Sequence, residues 1–95
     1  MQTKEEINKE TLNQVPIVVE TELATIQEDI KFTAKKGINR LGYSHGSKEV
    51  IYKISDELRK LGYKVVYANY NLFFNKSALQ FNEWTNAYHI EIFWK

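Results

Sequence analysis

The sequence predicts an α+β domain: two helices packed on a small antiparallel sheet of two to three strands, with a flexible N-terminal arm. Three observations carry that expectation. Leu23 to Ala34 and Val50 to Leu61 repeat apolar residues at helical spacing. Tyr63–Tyr70 and Ala87–Trp94 are rich in aromatic and β-branched residues, as strands are. Gly37 and Gly62 stand where the helical patterns stop. Ninety-five residues make one domain, assigned to residues 15–95 after an arm over 1–14.

The arm is expected because residues 1–14 are charged and polar, with Ile7 and Leu12 as the only large apolar side chains. Val15 to Val19 is apolar and β-prone, and Pro16 confines it to an edge or a lead-in. Thr21 then caps a first helix whose stripe is Leu23, Ile26, Ile30 and Ala34. Phe32 lies off that stripe, on the flank of the core or against a partner. Gly37 takes the position just past the helix end, after Lys35 and Lys36. Residues 39–48 read as a glycine-punctuated connection. Ser47 caps a second helix with Val50, Ile51, Ile54, Leu58 and Leu61 on one face. In the last strand Tyr88, Ile90, Ile92 and Trp94 face the helices, and His89, Glu91 and Phe93 face away. The stretch 71–86 is too long and too apolar for a hairpin turn. It holds either a short strand near Leu79 to Glu83 or an ordered loop.

Composition excludes several classes. The net charge is +1, so no global field demands nucleic acid or an anionic membrane. Cysteine is absent, which removes disulfides, thiolate chemistry and cysteine-based zinc sites and fits a cytosolic protein. Val15 to Val19 is too short for a membrane span or a signal-peptide core. Aromatic residues form 14% of a chain whose core is small, so some aromatic surface stays exposed for self-association or stacking.

The candidate ligand-binding residues are Arg40, Tyr43, Ser44, His45, Ser47 and Lys48. Arg40 and Lys48 supply charge, Tyr43 a ring face, and Ser44, His45 and Ser47 hydrogen bonds. Gly42 and Gly46 permit close backbone approach, and the start of the second helix offers N–H groups to an anion. The pattern is that of a phosphate or nucleotide pocket; an ordinary capped connection between helices has the same chemistry. It matches neither the P-loop nor the dinucleotide fingerprint. His45 and His89 are the only histidines and lack metal-ligand spacing, so no metal and no cofactor are expected. Ser44 and His45, adjacent in sequence, are no catalytic dyad. His89 and Glu91 share a strand face, which is an acid–base pair or the solvated side of a sheet. No catalytic residues are assigned. Tyr67, Tyr70, Phe73, Phe74 and Lys76 have the composition of a base-stacking platform, opposed by the neutral charge and an acidic N-terminal region.

Leu61-Gly62-Tyr63-Lys64-Val65 after a helix, an insert, and a closing Ile90-Glu91-Ile92-Phe93-Trp94 resemble the ending of many small uncharacterised tailed-phage proteins. Ile30 to Gly37 matches their first helix end, and Phe93 stands where serine is common. The resemblance spans residues 26–94 and its motifs are structural. It implies an α+β fold and a phage or prophage origin, and carries over no catalytic residues.

The expected function is that of a non-enzymatic, phage-encoded accessory or anti-defence binding protein. It would work as a homo-oligomer in the host cytosol and sequester a nucleotide-type immune signal or a host protein. The alternatives are a virion structural or protein-interaction component and a single-stranded nucleic-acid binding module. Partners are then a second copy of the chain and either the nucleotide or the host protein, with no membrane and with nucleic acid disfavoured.

Overall fold

A computed structural model describes residues 2–67, 79 and 81–94. Two helices pack against an antiparallel sheet of four strands, so the α+β expectation holds with one strand more than the upper number expected. The elements are α1 (Lys4–Lys35), β1 (Arg40–His45), α2 (Lys48–Lys60), β2 (Lys64–Tyr67), β3 (Phe81–Asn82) and β4 (Ala87–Phe93).

The first helix departs most from the sequence reading. Residues 4–14, expected as an arm, and Val15 to Val19, expected as an edge strand or a lead-in, are part of one helix from Lys4 to Lys35. Its cap is Thr3, whose Oγ1 accepts from the Glu6 N–H at 3.2 Å, rather than Thr21. Thr21 lies in the interior, and its hydroxyl donates to the Ile17 carbonyl at 3.1 Å. Pro16 removes one backbone donor and crowds the preceding turn, at a cost of about 3 kcal/mol. Burial offsets that cost. Val15 and Val19 sit one turn apart and continue the face that buries Ile26 and Ile30. The stripe therefore runs through the proline and beyond the part visible from Leu23 onward.

Local rules set both helix ends as expected. Gly37 at φ +81° and Gly62 at φ +97° occupy the left-handed region just past α1 and α2. The N–H of Ile38 bonds the Thr33 carbonyl and that of Gly37 the Ala34 carbonyl; Tyr63 and Gly62 repeat the pair on Leu58 and Arg59. At the other end of α2, the Ser47 Oγ accepts from the Val50 N–H at 3.3 Å. Leu61, expected on the core face of α2, is its exposed C-cap. Ser55 is fully buried and donates to the Ile51 carbonyl at 2.7 Å.

Among the described residues every other strand pairs with β4. Its order in the sheet is β1-β4-β2, with β3 also on β4. Both β1 and β2 are antiparallel to β4 and therefore parallel to each other, so β1-α2-β2 is a βαβ crossover split by an inserted antiparallel strand. Leu41, Ile92 and Val65 form one row toward the helices, and Tyr43, Ile90 and Tyr67 the next. Ile90 and Ile92 are buried to 1% and 0% exposure between the sheet and α1 and α2. The opposite face carries Arg40, Phe93 and Lys64, then Gly42, Glu91 and Val66.

β3 answers the expectation of a short strand near Leu79 to Glu83. His45 and Phe81 both pair with Tyr88, so β3 takes the edge of β4 opposite β1, in line with β2. The partner of Tyr67 is Ile90 and that of Phe81 is Tyr88, so β2 and β3 meet β4 at successive points of one edge. Residues 68–70 of the expected strand, and Tyr70, Phe73, Phe74 and Lys76 of the expected stacking platform, lie outside the described residues. Tyr67 faces the helices, edge-on to Tyr52 at 5.9 Å and with the Arg59 guanidinium 5.4 Å from its ring centre.

Two substitutions test this arrangement. Pro16→Ala restores a donor for the Leu12 carbonyl inside a continuous helix and raises stability by up to about 3 kcal/mol in urea unfolding. A neutral result would mean that the helix does not run through residue 16. Ile92→Ala empties the centre of the core and costs about 2–5 kcal/mol in the same assay.

Candidate functional site

The connection expected over residues 39–48 is mostly strand. Arg40–His45 is β1, with alternating burial that turns Leu41, Tyr43 and His45 toward the helices and Arg40, Gly42 and Ser44 away from them. Five steps of about 3.3 Å separate the backbones of Arg40 and His45 by roughly 16 Å. Arg40 thus stands at one end of β1 beside Phe93, while Ser47 and Lys48 follow its other end. The six candidate residues do not converge on one pocket.

Those near the corner between β1 and α2 have partners of their own. The Ser47 N–H donates to His45 Nδ1 at 2.9 Å, which places the proton of the neutral ring on Nε2. The Ser47 hydroxyl donates to Glu49 Oε2 at 3.3 Å besides capping α2. The Lys48 ammonium lies 5.7 Å from the centre of the Tyr52 ring. The Tyr43 hydroxyl donates to Glu22 Oε2 at 2.9 Å and ties β1 to α1. Burial, and then the Glu22 carboxylate as bond partner and negative neighbour, hold the Tyr43 phenol well above its ordinary value of 10.0. A ring held in this way is part of the frame.

The structure does form a groove at that corner, of about 340 Å³. One wall is the N-terminal half of α1, with Ile7, Glu10, Thr11, Gln14, Val15 and Val18. The other is His45, Ser47 and Val50. Two candidate residues, His45 and Ser47, thus line a site whose remaining wall comes from the stretch expected as an arm and as an edge strand or lead-in. The spacing Ile7, Thr11, Val15 and Val19 is the signal that would have found it. The lining is mostly apolar and contains one carboxylate and neither lysine nor arginine. A second groove of about 310 Å³ runs between α1 and α2 past Pro16, Leu23 and Lys53.

Other elements complete the surface. Phe32 is exposed, with the Lys36 ammonium 4.3 Å above its ring. His89 and Phe93, on the face turned from the helices, are half-buried, and Glu91 is exposed. His89 Nε2 is hydrogen-bonded to the Thr85 hydroxyl. Among the described residues there is no group of three or more His, Cys, Asp or Glu side chains placed to hold a metal ion, and no helix long and apolar enough to cross a membrane. No protein-family model, curated protein or solved structure matches the chain.

The Tyr43–Glu22 bond has a pH signature. The folded state keeps the phenol protonated, whereas the unfolded chain releases its proton near pH 10. The resulting stabilisation is complete below about pH 10 and is lost as pH rises through the higher folded-state value. Tyr43→Phe loses about 1 kcal/mol at neutral pH. Between about pH 8 and pH 11 it falls in stability less steeply than the wild type, as read by urea unfolding. Equal slopes would remove Tyr43 from this role.

Proposed function

We propose that this chain is a non-enzymatic, phage-encoded accessory or anti-defence binding protein that works as a homo-oligomer and docks a protein segment in the groove between α1 and the β1–α2 corner. The observation that carries the reading is the lining of that groove. The surface it exposes is mostly apolar although Thr11, Gln14, His45 and Ser47 also line it, and its one carboxylate is that of Glu10. A phosphate entering it would meet that negative charge with no cation in the lining. The lining therefore favours a protein partner over a nucleotide-type immune signal. The phage origin and anti-defence role rest on the resemblance of residues 26–94. The non-enzymatic reading rests on how the polar candidates are used: His45 with Ser47, and Tyr43 with Glu22, serve the fold.

Native mass spectrometry of the protein purified from its host tests the reading. A mass above the 11.2 kDa monomer is expected, and Ile7→Glu, which charges an exposed apolar wall of the groove, abolishes it. A bare monomer from the wild type, or an assembly indifferent to Ile7→Glu, overturns it. Thermal shifts against cyclic and ADP-ribose-type nucleotides are expected to be null. A shift that disappears in Arg40→Ala would restore the nucleotide reading.

A further inference from the structure

The turn between β3 and β4 carries Trp84 with 98% of its surface exposed. Exposure on a frayed segment would be unremarkable, but this turn is built. The Asn82 Oδ1 accepts from the N–H groups of both Trp84 and Thr85, at 2.9 and 3.3 Å. Asn86 closes the turn in the left-handed region at φ 58°. Thr85 is hydrogen-bonded to the His89 ring. A large apolar side chain is therefore held in water by a backbone that is already ordered, so docking it requires little further ordering. Tryptophan is also the residue type most enriched among interface hot spots.

The same end of the molecule holds the α1 groove. A Cβ built on Gly46, in the β1–α2 corner, lies 3.7 Å from the Asn86 carbonyl oxygen, so the Trp84 turn and the groove wall are neighbours. The two features match in size and in chemistry. An apolar cavity of about 150 Å³ holds a benzene ring; the groove has about 340 Å³, enough for the larger indole. An indole offers one N–H donor and no acceptor. The groove offers the Glu10 carboxylate and the Gln14 amide oxygen as acceptors beside Ile7, Val15 and Val18.

We infer that the occupant of the groove is Trp84 of a second copy of this chain. Two copies related by a two-fold axis through this end insert their indoles reciprocally, and each supplies what the other lacks. The inference rests on the reading of the groove as a docking site and names its partner.

Sedimentation equilibrium of the purified full chain reads the outcome. The wild type shows a concentration-dependent dimer. Trp84→Ala and Ile7→Glu each remove both reciprocal insertions and weaken it by about 1,000-fold, the effect of losing two aromatic hot spots. An equimolar mixture of the two variants associates more strongly than either alone, because one keeps an intact groove and the other an intact indole. Fluorescence supplies a second readout, since the chain has only two tryptophans. In Trp94→Phe the remaining Trp84 emission moves to shorter wavelength as concentration rises, while in Trp84→Phe the Trp94 emission does not. A monomeric wild type overturns the inference. A dimer weakened by Ile7→Glu and not by Trp84→Ala overturns it too, yet leaves the groove as a docking site. A dimer indifferent to both variants removes the groove as well.

Discussion

The fold depends on β4. Each strand pairing runs through it, β1 on one edge and β2 and β3 on the other. Ile90 and Ile92 project from it into the space closed by Ile26 and Ile30 of α1 and by Ile51, Ile54 and Leu58 of α2. The alternation along β4 fixes both faces at once: a slip of one residue would send Glu91 into that space and both isoleucines out of it. The dependence also orders assembly. The helices are local, whereas among the described residues β1 and β2 find their strand partner only in β4. Its pairing with β1 closes a loop of more than forty residues, a contact of the kind that slows folding.

What was legible in the sequence followed from rules that act over a few residues. Gly37, Gly62 and Ser47 mark helix ends because the backbone there needs a left-handed residue or a side-chain acceptor. The two faces of β4 were legible from the alternation of Tyr88, Ile90, Ile92 and Trp94. The short β3 was legible from the excess length of 71–86. Three features were not, and in the first two a distant contact overrides a local preference. Pro16 and Thr21 are ordinary signs of a helix boundary, yet the burial of Val15 and Val19 draws the helix through both. Arg40 to His45 contains Gly42 and Ser44 and resembles a turn, yet it completes the free edge of β4. Leu61 fits the apolar stripe of α2 by spacing but falls where the helix has already ended.

The conversion of that connection into a strand also redistributes the candidate site. Extended chain sends alternate side chains to opposite faces, so Arg40 and Ser44 part from Tyr43 and His45. The polar side chains that remain near the corner hold β1, α1 and α2 in place. A concave surface arises instead from the stretch of α1 that rises past the sheet, with exposed Ile7 and Leu12 along it. The site is thus a product of helix length: shortened to Thr21, the helix would leave His45 and Ser47 facing open solvent with no opposite wall.

The way β4 serves two edges at once has a consequence for how such a chain can diverge. Tyr67 is paired with Ile90 and Phe81 with Tyr88 on one edge, and Tyr43 and His45 meet the same two residues from the other. A change at Tyr88 or Ile90 reaches both edges together, since His45 and Phe81 meet Tyr88 while Tyr43 and Tyr67 meet Ile90. Homologues should therefore vary least in side-chain size at those two positions of β4.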